Sequence, residues 1–174
     1  MAAGNRQPSA TGNVLRHVIE AWALVGGVVL IGVVLVNAFS LSSLILAGRP
    51  FPGDFEIVEV GVAVSVFCFL PYCQVTGANV TADIFTSGAG PRTLAVLSTA
   101  ASIVASAFAV FLLWRMYEGF LDFRLYEETT AIYQFPIWIA YVPILVSIAL
   151  LIVASLMSLA DALAGRATQE SAEL

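Results

Sequence analysis

Few residues of this chain are suited to chemistry. It holds one histidine, His17, no lysine among its seven basic residues, and two cysteines, Cys68 and Cys73. One imidazole cannot build a bis-histidine haem or a histidine-rich metal site. With so few groups able to move a proton or attack as a nucleophile, acid–base and covalent catalysis lack candidates. The sequence shows no nucleotide-binding loop, Ser-His-Asp set or metal-spaced cluster. Cys68 and Cys73 fall inside an apolar stretch. Five helical steps of about 100° set them roughly 140° apart, which suits packing and not a redox pair. The expectation is no enzyme, no cofactor and no metal or substrate site.

The acids suggest contacts instead. Glu56 and Glu59 are three residues apart and share one helical face. They read either as a solvated helix start favoured by the N-terminal dipole or as a docking surface for a partner protein. A proton relay would need ionisable groups deeper in a span, and none stands at mid-span. Further on, Pro71 can kink its helix, and Gln74, Thr76 and Asn79 are costly facing lipid, so they are placed against protein or the inner interface. Asn79-Val80-Thr81 matches a glycosylation acceptor but lies on the expected inner side and is set aside. Ser98, Ser102 and Ser106, with Ala101, Ala105 and Ala109, form small-residue rows at four-residue spacing, a pattern that lets helices approach closely in lipid. Past Trp114, Arg115, Glu118 and Asp122 share a face opposed by Met116, Phe120 and Phe123, so the third helix either continues outside the membrane or bends along it.

The elements that carry these residues follow from composition. Of 174 residues, 60% are hydrophobic and 11% charged, and the mean hydropathy is +0.94. That excess is too large for the core of a small soluble domain. A net charge of −5 speaks against a nucleic-acid partner. Charges are absent from Ala21 to Gly48, between Glu59 and Asp83, between Arg92 and Arg115, and between Glu128 and Asp161. Each window exceeds the roughly 20 apolar residues that cross a bilayer core. The spacing predicts an all-α integral membrane protein with four transmembrane helices, near 21–46, 57–79, 93–114 and 135–160. The windows are apolar all round, which excludes the alternation of a β-barrel. The first is too long for a signal-peptide core and reads as a retained helix.

A mobile polar tail is expected over 1–12 and a C-terminal tail over 161–174, flanking a membrane domain of 13–160. From Asn13, Leu15, Val18, Ile19 and Trp22 keep helical spacing while Arg16, His17 and Glu20 share the other side. That predicts a short N-terminal amphipathic surface helix, or else the first turns of helix one. The two ends and the second loop carry four arginines against three in the first and third loops, a positive-inside signal for both termini in the cytoplasm. Trp22, Trp114, Trp138 and Tyr141 fall at predicted helix ends, where such rings anchor at the headgroup boundary.

Four windows, in order, resemble one family. They are Phe51-Pro52-Gly53-Asp54-Phe55-Glu56 before helix two, and the helix-two exit from Gln74 through Gly77, Val80 and Asp83. Glu128-Thr129-Thr130 precedes helix four, and Pro136-Ile137-Trp138 with Tyr141 and Pro143 opens it. Together with the length and helix count, these resemble the small (DctQ/SiaQ-like) membrane subunit of tripartite ATP-independent periplasmic (TRAP) transporters. Asn79 stands where the family often carries a histidine. The resemblance implies a large elevator-type membrane subunit holding the substrate and sodium sites. It also implies a periplasmic binding protein that delivers an organic acid or similar solute, and residence in a bacterial or archaeal cytoplasmic membrane. This chain would then be a scaffold. Glu56, Glu59, Asp83, Ser98, Ser102, Ser106 and Trp138 are the expected partner-interface residues, and Glu118, Asp122, Glu127 and Glu128 the expected periplasmic docking rim. The alternatives are a small subunit of a tripartite tricarboxylate-type transporter or a self-contained homodimeric exporter. A membrane redox enzyme would require reactive thiols.

Overall fold

A computed structural model describes residues 10–76 and 91–163, with side chains over 12–76 and 99–160. It contains α1 (Ala10–Ala47), α2 (Asp54–Val75), α3 (Pro91–Leu125) and α4 (Trp138–Leu163). Each carries a stretch long and apolar enough to cross a membrane. The four charge-free windows thus correspond to four helices, and no strand is named among the described residues.

The separate surface helix is corrected. Residues 13–20 are the early turns of α1, which runs unbroken for 38 residues. No glycine or proline stands between Asn13 and Val25 to interrupt it. Ile19, at 1% exposure, already lies on the buried stripe that Ala23 and Val33 continue. At 1.5 Å per residue α1 is about 57 Å long, so it overreaches a ~30 Å core.

The other bounds differ more modestly. α2 stops at Val75, where the Thr76 hydroxyl donates to the Tyr72 carbonyl at 2.8 Å. Residues 77–83 of the predicted helix-two exit, Asn79 and Asp83 among them, lie outside the described residues, as do the distal parts of both tails. Helix three runs unbroken past Trp114 to Leu125, where the helical spacing of Arg115, Glu118 and Asp122 persists. α4 opens at Trp138, after a loop that folds on itself through a single antiparallel bridge between Thr129 and Pro136.

The main packing pairs α1 with α2, α2 with α4, and α4 with α3, so the helices form a row in that order. Its buried centre joins Cys68, Ser65 and Pro71 of α2 to Ile144, Ser147, Ile148 and Ala154 of α4. Small residues set the spacing. A Cβ on Gly26 would come within 2.6 Å of Cys68 Cβ, and one on Gly61 within 2.3 Å of Val33 Cγ2. The outer helices keep wide apolar faces uncovered: Leu24, Val28, Ile31 and Leu35 on α1, and Val104, Phe108 and Phe111 on α3 are all exposed.

Candidate functional site

The polar residues gather where the α1–α2 and α3–α4 connections meet. α1 ends at Gly48, whose φ of 68° turns the chain out of the helix. α2 begins after Gly53 at φ 73°. This glycine is required twice over, since a Cβ there would also sit 2.3 Å from Tyr133 Cε2. Ser40, on the last turns of α1 and 3% exposed, donates to Asp54 Oδ2 and accepts from the Phe51 amide at 3.1 Å. Asp54 Oδ1 takes the Phe55 amide at 2.8 Å. The Pro-Gly turn is therefore stitched to α1 through one serine and one aspartate.

Glu56 ties this turn to the other half of the chain. Its Oε1 accepts the Ile132 amide at 2.7 Å and its Oε2 the Tyr133 amide at 3.1 Å. The Tyr133 hydroxyl donates to the Pro52 carbonyl at 2.8 Å. Within the loop, Thr130 closes the hairpin: its amide donates to Phe135 O at 3.0 Å and its hydroxyl accepts the Phe135 amide at 3.1 Å. The Ile137 amide reaches Glu128 O at 3.1 Å. Below the hairpin, between α1 and α2, lies an open groove of about 680 Å³ walled by Val29, Val33, Ile57, Val60 and Gly61 and topped by Thr130, Tyr133 and Phe135.

A second polar link is buried in the helices. The Trp22 indole N–H donates to Ser147 Oγ at 2.8 Å, and the Ser147 hydroxyl donates to the Pro143 carbonyl at 2.7 Å, with Cys68 Sγ at 3.7 Å. Trp22 is more than a boundary anchor: it joins α1 to α4 across α2. Cys68 is buried and Cys73 half-buried, both as free thiols.

The predicted residues distribute unevenly. Glu56 is at the junction, whereas Glu59, one turn on, is exposed. Asp83 lies outside the described residues, and Ser98 is on α3 with its side chain undescribed. Ser102 and Ser106 are half-buried, and the Ser106 hydroxyl donates back to Ser102 O at 2.8 Å within α3 itself. Beside them Ala109 is fully buried. Trp138 meets Phe120 edge-on at 6.3 Å, and Tyr141 meets Phe123 at 5.2 Å. Gly119 lies under the Tyr141 ring, so the outer extension of α3 leans on the first turns of α4. Glu118, Asp122, Glu127 and Glu128 are all exposed along that extension and the loop after it.

Sequence reasoning passed over Ser40, Asp54 and Tyr133 as site residues. Asp54 had a signal, standing directly after Gly53 at a helix start. Tyr133 had none, because its partners are about eighty residues away. Among the described residues no three His, Cys, Asp or Glu side chains could hold a metal ion. What the arrangement offers is contact: two loops locked together at one end, and apolar helix faces along both sides.

Comparison with known proteins agrees in kind. No curated protein and no solved structure matches the chain. A family model for tripartite ATP-independent periplasmic transporters, DctQ component, matches residues 30–165. That span takes in α2, α3, α4 and about half of α1, together with the Glu56 junction. Such a junction with uncovered flanking faces suits a component of a larger assembly, and the chain belongs to the DctQ family, the small membrane component of TRAP transporters.

Proposed function

We propose that this chain is the scaffold subunit of a TRAP-type secondary transporter. It supports a large elevator-type membrane subunit in sodium-coupled uptake of an organic acid or similar small solute, delivered by a periplasmic binding protein. The carrying observation is the row of four helices whose flanks, α1 and α3, leave broad apolar faces uncovered. A row with no second layer is suited to lie against a larger membrane protein and extend its fixed part. The described spans hold no charged residue at mid-depth that would bind a solute or ion. Substrate and sodium therefore belong on the partner.

In this reading both termini face the cytoplasm. The Glu56 junction, with Glu118, Asp122, Glu127 and Glu128, faces the periplasm, where the binding protein docks. Glu59, Trp138 and the Ser102–Ser106 face contribute to assembly, with Asp83 and Ser98 proposed alongside. Purification from native membranes in mild detergent through a C-terminal tag tests the reading. A stoichiometric partner of about a dozen spans, as a subunit several times this length would have, is the expected result. A homo-oligomer with no partner would overturn it and bring the exporter reading forward.

A further inference from the structure

Two non-glycine residues have positive φ among the described residues, Glu127 at 49° and Gln134 at 51°. Both belong to the α3–α4 loop. A side chain with a Cβ is disfavoured there and persists where its surroundings impose the conformation. Gln134 sits in the tip of the hairpin, where its amide donates to Thr130 O at 3.1 Å. Glu127 sits at the base, between the end of α3 and the first hairpin bond.

The ends of this loop are anchored to the helices, by the Glu128 amide on Phe123 O at 3.3 Å and by the Ile139 and Ala140 amides on Pro136 O and Ile137 O; its other bonds fall into two sets. One closes the hairpin on itself, through Thr130 with Phe135 and Ile137 with Glu128. The other holds the closed hairpin to α2 and its preceding turn, and consists of the two amides on Glu56 and the Tyr133 hydroxyl on Pro52. The second set lies in exposed surroundings where water competes for every bond. The hairpin also covers one end of the α1–α2 groove and carries an uncovered apolar side chain, Ile132, at 60% exposure.

We propose that residues 128–137 form a flap pivoting at Glu127 and latched by the Glu56 carboxylate. Latched, it closes one end of the groove between α1 and α2. Released, it lifts as an intact hairpin and uncovers the wall around Ile57 and Val60. The flap rests on contacts within this chain and not on the scaffold reading.

Hydrogen exchange on the full chain in lipid nanodiscs tests it, comparing wild type with Glu56→Gln, Tyr133→Phe and the control Glu59→Gln. Alongside, a cysteine introduced by Ile57→Cys is labelled with a water-soluble maleimide, and the rate for the parent chain is subtracted. In Glu56→Gln the Ile132 and Tyr133 amides will exchange about tenfold faster or more. The Ile57→Cys thiol will label faster, while the Thr130 and Ile137 amides keep their wild-type protection. Tyr133→Phe, which removes a single hydroxyl, will do the same more weakly, and Glu59→Gln will change nothing. Unchanged exchange at Ile132 and Tyr133 would overturn the latch. Joint loss of protection at Thr130 and Ile137, or across the helices, would show the junction to be fixed cement and overturn the flap. If Glu56→Gln does not fold, Tyr133→Phe decides by the same readings.

Discussion

Replacing Gly26 by alanine will destabilise the chain, while the same change at its neighbour Gly27 will not. A Cβ on Gly26 would lie 2.6 Å from Cys68 Cβ and 3.3 Å from the Ser65 carbonyl oxygen, whereas one on Gly27 would meet nothing within 4 Å. Carbon atoms pack best at about 3.5–4.0 Å, so α1 must back away from α2 by roughly 1 Å. Both contacts are on the α2 helix itself and not on the far end of a flexible side chain, so little of that separation can be absorbed locally. Overpacking of this kind costs about 1–3 kcal/mol. Alanine returns up to about 1 kcal/mol of helix preference over glycine, at either site. The helix-preference gain is common to both sites, so Gly27→Ala will change stability by between zero and a gain of about 1 kcal/mol and Gly26→Ala will be worse than it by about 1–3 kcal/mol. Reversible unfolding of the isolated chain in mixed micelles measures both. Adding Cys68→Gly to Gly26→Ala removes the clashing atom, and the double-mutant cycle will show a favourable coupling of about 1 kcal/mol or more. Equal effects at the two glycines, or a cycle without coupling, would refute the close approach of α1 to α2 at this level.

Three further outcomes are expected. Trp22→Phe will lower stability by about 0.6–1.7 kcal/mol, the range for hydrogen bonds between membrane helices, and will show coupling to Ser147→Ala in a cycle on the same unfolding assay. Gly53→Ala will cost about 1–2 kcal/mol for its left-handed backbone alone, and also displaces the Tyr133 ring. Combining it with Tyr133→Ala will recover the ring-clash portion and leave the backbone portion, which separates the two causes. A Phe120→Ala and Trp138→Ala cycle will give a coupling of about 0.5–1.5 kcal/mol if the edge-on contact holds α3 to α4.

The number of helices was legible because charge is expensive in a bilayer wherever it occurs, so the gaps between charged residues mark the spans without reference to any neighbour. The order of the helices was not legible by that means. Lipid and helix interior are alike apolar, and Leu24 on the exposed face of α1 is no less hydrophobic than Ile19 on its buried stripe. What distinguishes the two faces is size at the point of contact. Gly26 against Cys68 and Gly61 against Val33 record where backbones approach. Gly27 and Gly32 are the same residue type with open space around them, so the sequence alone could not say which glycines are packed. The small-residue row on α3 illustrates the same ambiguity, since Ser106 satisfies its hydroxyl within its own helix.

The Glu56 junction is the opposite case. Its acid was singled out by spacing, and its neighbours Pro52, Gly53 and Asp54 entered only as one window of the family resemblance. Its partners are backbone amides of the α3–α4 loop, and an amide carries no sequence signature. Only the Thr130 hairpin closure and the exclusion of any Cβ at Gly53 left side-chain traces, in two segments some eighty residues apart. That distribution has a functional corollary. Because Glu56 takes main-chain amides, substitutions at residues 131 and 132 other than proline leave those donors in place. A surface side chain such as Ile132 is therefore free to match a partner while Glu56 keeps the loop where it is.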